Sequence, residues 1–494
     1  MNKVIKNLLW GFGGQLLGLV FSIIIPRLIL VKFGSETNGI TSTITQIFVY
    51  IALLESGIGS AALTCLYKNL AENDRPGISE TVSATRKYYR KLLPLYIGCV
   101  VLLAFFFTMV IETTVPAQTV RFLILMQGAC GAINFLYSNA YLQLLVSDGR
   151  SYVSSALALV VKVVSFSGQL LLIALGFNIV SVQFSALLAN IIQAIAINIY
   201  VRKKYPWLTF NRDADLSLLS QRRPFVIHEI SGVVFQSTDL ILISVFCSIT
   251  EASVYAVYNM IFSALGNLMS ILMKAFEFKL GAAYHRDIAE YIKLHDFLET
   301  LYSCFVFAMI SAAYLVTLPF VALYTADVTD AIYIRPVLPV LFSVIQLFSC
   351  GRRVCSHLLN IAGKAQATIP NTLTEMVINL VASALLVNLL GMVGVLIGTI
   401  IALCYRTNDI LLYANRKILN RSPLKTYKTL GLNLLLFLLQ IASSSIFTIR
   451  IANYFAFLYQ GALTLVCSLA LYFGSHIALN ASFRDYFKTL LPKP

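Results

Sequence analysis

The chain has 494 residues, 58% of them hydrophobic and only 12% charged, with a formal net charge of +15. Its mean hydropathy of +0.80 excludes a soluble globular protein, and apolar segments of about 20 residues, the signature of spanning helices, recur along the whole length. No stretch between them is long enough for a soluble domain, and the positive surplus, which in a soluble chain would suggest nucleic acid, belongs to the loops, where positive-inside orientation explains most of it.

The first predicted span, residues 5–30, contains Gly11, Gly13, Gly14 and Gly18, small residues that let helices approach closely, and Pro26-Arg27 marks its far end. Without a small-residue cleavage site it reads as retained rather than as a signal peptide. The second, 39–66, carries Glu55 just before Ser56-Gly57-Ile58-Gly59. A basic stretch, Lys68 to Lys91, precedes spans at 92–111 and 120–145. The tight turn Ser147-Asp148-Gly149-Arg150 enters a fifth at 153–176, which holds Lys162, and a sixth follows at 179–201.

After a second basic stretch, Arg202 to Pro224, the seventh span, 225–249, includes His228, Glu229 and Asp239. The eighth, 254–276, leads into Lys279–Thr300, where Leu280, Tyr284, Ile288, Tyr291, Leu294 and Phe297 recur every three or four residues, the pattern of an amphipathic helix on a membrane surface. Spans at 304–324, 337–362, 373–390 and 393–413 follow, the last with Arg406 and Asp409, and the final two are 430–449 and 454–478. These make about fourteen spans in an all-α, polytopic chain. Basic residues gather at one set of ends, against Lys32, Arg121, Arg335 and Arg450 at the other, which predicts both termini in the cytoplasm. The recurring loop pattern predicts two pseudo-symmetric six-helix bundles, 1–201 and 225–417, joined by a linker at 202–224, with two further helices and a tail in 418–494.

Charges inside the spans are the candidates for function. In Leu341–Gly363, Arg352 and Arg353 sit side by side near the middle of an apolar run, and a charge there costs at least about 2.5–3.5 kcal/mol on insertion scales. Neighbouring helical residues point about 100° apart, so one arginine can face a water-filled cavity while the other reaches a neighbouring helix. Arginine stays protonated and its planar fork suits phosphate, which points to a cationic lining for an anionic substrate. A structural ion pair with a carboxylate on another span is the competing reading. Arg406, Lys162 and Arg27 join the candidate cations, with Arg406 able to pair locally with Asp409 at i, i+3 and Arg27 able to snorkel. Glu55, Asp239, Asp409 and Glu229 either bind a coupling proton or sodium ion or balance the arginines. Side-chain amides, among them Gln46, Asn134, Asn139, Gln236, Asn259 and Gln346, could recognise sugar. The nine cysteines form no CxxC pair. Cys355 and His357 come nearest to a metal pair, so all nine read as packing residues with no metal site and no cofactor. No GxxxxGK[ST] loop exists for direct use of ATP.

The segment PRLILVKFGSETNGITSTITQIFVYIALLESGIGSAAL resembles flippases of the multidrug/oligosaccharidyl-lipid/polysaccharide exporter superfamily through Arg27-Leu28, Phe33-Gly34, Gly39 and Glu55-Ser56-Gly57-Ile58-Gly59. TDLILISVFCSITEASVYAVYNMI is similar to the junction of their seventh and eighth spans, with Asp239, Phe246 and Tyr255 matching and Cys247 and Ser253 standing where glycines are usual. Within that group the chain is most similar to the Wzx-type exporters of polysaccharide repeat units. The resemblance implies a non-enzymatic transporter of the cytoplasmic membrane, acting by alternating access. Its cargo would be an undecaprenyl-pyrophosphate-linked oligosaccharide for surface polysaccharide biosynthesis, with membrane lipids and other polysaccharide assembly proteins as partners and antiport of an ion as a drive. A flippase of peptidoglycan or teichoic-type precursors follows the same charge logic. A multidrug cation exporter would want a more acidic cavity, and a membrane-embedded polymerase or glycosyltransferase would want larger loops or a catalytic domain.

Overall fold

In their described residues the predicted apolar segments lie mainly on helix in the computed structural model, which describes residues 3–210, 215, 223–444, 453–481 and 483–485, the side chains of 3–16 and 223–229 among those excepted. Ten helices among the described residues are long and apolar enough to cross a membrane, or eleven if a pair bent by 47° counts as one span. Large apolar side chains such as Phe105, Leu171, Leu389 and Phe455 point outward, as lipid requires and water forbids. The protein is a multi-pass membrane protein. It divides into two compact units, 1–253 and 254–494.

In the first unit, α1 (Lys3–Ile51) is two helices end to end, separated at Gly34, where φ is +83°. Only glycine adopts that conformation without strain. Just beyond it, Glu36 accepts hydrogen bonds from Thr113 Oγ1, Thr114 N and Thr114 Oγ1 at 2.7, 2.7 and 2.8 Å. The chain breaks again after Glu55. A 3-10 turn at Ala52–Glu55 gives way to Gly57 at φ +75° and then to α2 (Ile58–Ala71). α3 (Arg75–Val110) opens on Asp74, whose carboxylate accepts from Gly77 N at 3.1 Å. Its 36 residues make a rod of about 54 Å, so its basic first half extends beyond the roughly 30 Å of hydrocarbon.

α4 (Ala117–Ile133) runs through one π-helical turn, Asn134–Ser138, into α5 (Asn139–Ser147). α6 (Ser151–Ala174) and α7 (Ile179–Lys204) follow. The turn before α6 is held by Asp148, which pairs with Arg150 and accepts from the Tyr205 hydroxyl at 2.6 Å. Burial and the Asp148 carboxylate push that hydroxyl above its ordinary pKa. α8 (Arg223–Phe246) belongs to this unit as well. It is fastened to α1 by Thr43–Ser244 at 2.6 Å and by Tyr50–Thr238.

The second unit is built around α10 (Ile288–Tyr324), against which α11 (Val337–Gly351), α15 (Leu424–Ser444) and α16 (Tyr454–Leu479) pack. The segment Lys279–Thr300 is not a helix lying on a membrane surface. It completes α9 (Ile249–Arg286) and begins α10, and Leu280, Tyr291, Leu294 and Phe297 are buried in the core of the unit. The 3–4 periodicity is the same for a helix facing protein as for one facing lipid. The last two helices join the same core through buried polar ties. Asn433 donates to Ser303 Oγ at 3.1 Å, His476 meets Asn433 Oδ1 at 2.9 Å, and Ser311 meets the Tyr472 hydroxyl at 2.8 Å. α12 (Arg353–Ile361) continues α11 after a break at Arg352. α13 (Ile369–Leu390) and α14 (Met392–Tyr413) form an intimate antiparallel pair. A Cβ added at Gly398 would fall 2.5 Å from the Ser383 backbone nitrogen, so Gly394 and Gly398 act as a GxxxG contact face.

Candidate functional site

Within the first unit the helices enclose a cavity of about 770 Å³, in the range of small-ligand sites. The break after Glu55 and the π-helical turn open onto it. Glu55, at the kink, lines the cavity together with Asn134, at the start of the π turn, and Asn139, just after it. Asn139 donates to Glu55 Oε2 at 2.7 Å. Lys162 enters from α6, and Gly18 on α1 leaves it room, because a Cβ there would lie 3.1 Å from Nζ. Gln127 and Asn190 add two further amides, and Phe21, Ile25, Phe48 and Val161 supply apolar wall. An ammonium, a carboxylate and four amides in an apolar frame can hold an anionic group beside hydroxyl-rich chemistry.

The sequence candidates Lys162, Glu55, Asn134 and Asn139 therefore meet in one cavity. Arg27 is half-buried next to the lining residue Pro26 and does not itself line the cavity. Asp239 is buried on α8 beside Thr238, close enough to Tyr50 to act on its hydroxyl electrostatically, and stands apart from the lining. The side chains of His228, Glu229 and Gln236 lie outside the described residues. Gln127 and Asn190 were not distinguished in the sequence, since an amide in a span carries no charge to mark it.

In the second unit the arginines are built into a network. Arg352, at the break between α11 and α12, holds Nη1 2.8 Å from Glu375 Oε1 on α13, and Arg406 Nε lies 3.6 Å from Glu375 Oε2. Arg406 also pairs with Asp409 on the same helix and donates to Thr372 Oγ1 at 2.8 Å, while Asn371 donates to Asp409 Oδ1 at 2.6 Å. Arg353 turns the other way and donates to the Gly266 carbonyl on α9 at 3.1 Å. The two adjacent arginines diverge as helical geometry requires, and both end on neighbouring helices. Glu375, the carboxylate that joins Arg352 to Arg406, was missed in the sequence. The signal was present as a single acidic residue near the start of an otherwise apolar span.

No family model and no curated protein sequence matches the chain. Its fold is that of multi-pass transporters. A multidrug resistance transporter of the MATE family, of the MOP superfamily, in an inward-facing conformation superposes with a TM-score of 0.60 at 15% identity, covering 86% of this chain and 96% of that one. An outward-facing structure from the same family gives 0.55 at 15% identity, covering 90% and 96%. The lipid II flippase MurJ in an inward closed conformation gives a TM-score of 0.72 at 14% identity, covering 98% of this chain and 100% of that chain. At these identities the likeness is one of fold.

Proposed function

We propose that this protein is a transporter that flips a lipid-linked anionic glycan across the cytoplasmic membrane, with both termini in the cytoplasm. The cargo we favour is an undecaprenyl-pyrophosphate-linked oligosaccharide for surface polysaccharide. The observation that carries the proposal is the cavity that joins Lys162 to Glu55 and to Asn134, Asn139, Gln127 and Asn190. A pyrophosphate crossing hydrocarbon needs fixed donors in place of its hydration shell, and a sugar needs amides and hydroxyls. The full-length fold likeness to a lipid II flippase supports the same class of cargo, and it favours a second reading in which the cargo is a peptidoglycan precursor.

Glu55, on a broken span, is the carboxylate best placed to sense both cargo and a coupling proton or sodium ion, with Asp239 as the other candidate. The test is reconstitution into liposomes with a fluorescent polyprenyl-pyrophosphate oligosaccharide, following its movement between leaflets with and without an ion gradient. Movement that depends on Lys162 supports the proposal. Export of an organic cation with no movement of the lipid-linked glycan refutes it, and preference for a lipid II analogue selects the second reading.

A further inference from the structure

A second polar centre lies buried in the second unit, away from the arginine network. His295 and Glu299 stand one turn apart on α10, so they share a face, and Cys355 meets them from α12. All three residues are buried, and a nitrogen of His295, the Cys355 sulfur and a Glu299 oxygen lie within 4.8 Å of one another. Cys355 Sγ is 3.5 Å from Glu299 Oε1. Bonds of about 2.0–2.3 Å to a tetrahedral zinc ion would set ligand atoms about 3.5 Å apart, so one edge of the triangle already has that spacing and the others close by an ångström or so.

A second observation points to a ligand. One His295 ring nitrogen, Nδ1, faces the Tyr291 hydroxyl at 3.2 Å, and the other, Nε2, is fully buried with no hydrogen-bond partner in the protein. An orphaned buried imidazole nitrogen is costly, and a bound metal would remove that cost. Arg421 pairs with Asp296 through Nη1 and with Glu299 Oε2 at 3.9 Å through Nη2, and Lys425 Nζ lies 2.6 Å from Asp296. The Thr426 hydroxyl, on α15, lies 3.0 Å from both Glu299 oxygens.

We propose that His295, Glu299 and Cys355 bind one divalent transition-metal ion, zinc by the mixed nitrogen, oxygen and sulfur donor set, and that the ion clasps α10 to α12. Because Glu299 also holds Thr426, the clasp extends to α15. Binding exchanges the Cys355 thiol proton for the metal, and the proton is released to solvent. The proposal is independent of the transport reading.

The test uses the full chain, purified in detergent through a tag that binds no metal. Elemental analysis should find about one zinc per chain, and cobalt(II) added after chelation should give a thiolate-to-cobalt charge-transfer band in the near ultraviolet. C355S should abolish that band, and H295Q should weaken zinc affinity by at least about tenfold. A chelator should lower the melting temperature of the wild type and leave that of C355S unmoved. Zinc at background levels with no charge-transfer band, or a band that persists in both variants, would overturn the proposal. H295Q leaves the thiol in place and so keeps the test decisive where C355S fails to fold.

Discussion

The two units make opposite use of charge placed inside apolar helices. In the first, Lys162 and Glu55 line a cavity of about 770 Å³ together with four amides. In the second, Arg352 and Arg406 share Glu375, Arg406 also takes Asp409, and Arg353 ends on a backbone carbonyl. A charged residue in a span is expensive in both places. The first unit keeps the charge beside space that a cargo could fill, whereas the second neutralises it with fixed protein groups. The same sequence signal therefore has two physical resolutions, and only the neighbours distinguish them.

The contrast can be broken most severely at the network. Arg352→Ala leaves Glu375 without its nearest cation, and loss of one partner from a buried pair costs about 3–5 kcal/mol. We expect a large drop in the thermal midpoint of the purified protein, partly restored in Arg352→Ala/Glu375→Ala. A loss in the double variant equal to the sum of the separate Arg352→Ala and Glu375→Ala losses would show that the pair has no coupling. A transport assay alone would not separate this effect from loss of a cargo contact, so the midpoint is the required readout.

At the cavity the expectation reverses. Lys162→Ala removes a charge-assisted donor, worth about 1.5–3 kcal/mol, so transport should fall about 10- to 100-fold with the thermal midpoint unchanged. Unchanged transport would take Lys162 out of the cargo path. A smaller effect is expected from Gly18→Val, whose added bulk crowds the ammonium. Transport should fall less than in Lys162→Ala, and adding Gly18→Val to Lys162→Ala should bring little further loss. The smallest change in structure is Glu55→Gln, which keeps an oxygen for Asn139 while removing the charge. Transport measured without a gradient should survive, and its stimulation by a proton or sodium gradient should disappear. Persistent stimulation would assign coupling to another carboxylate, with Asp239→Asn as the next variant.

Much of this was legible in the chain. Apolar runs of spanning length are decided by transfer free energy, residue by residue, and backbone groups in lipid leave helix as the solution, so the segments and the all-α class follow directly. The break at Gly34 falls between the first two predicted spans, whereas the one at Gly57 interrupts what the sequence presents as a single span, 39–66. Intramembrane charge marked Lys162, Glu55, Arg352, Arg353 and Arg406 as special. It could not tell Arg352, bound to Glu375 23 positions away, from Lys162, which faces a cavity. Periodicity likewise described the face of Lys279–Thr300 and not what covers it. Along the chain Cys355 has His357 close by, whereas in the fold it lies beside His295 and Glu299 on another helix. Composition and periodicity are local, and they determined where the helices are and which residues they carry. Pairing, cavity and cluster depend on which helix faces sit together, and that is set by side-chain packing between segments distant in sequence.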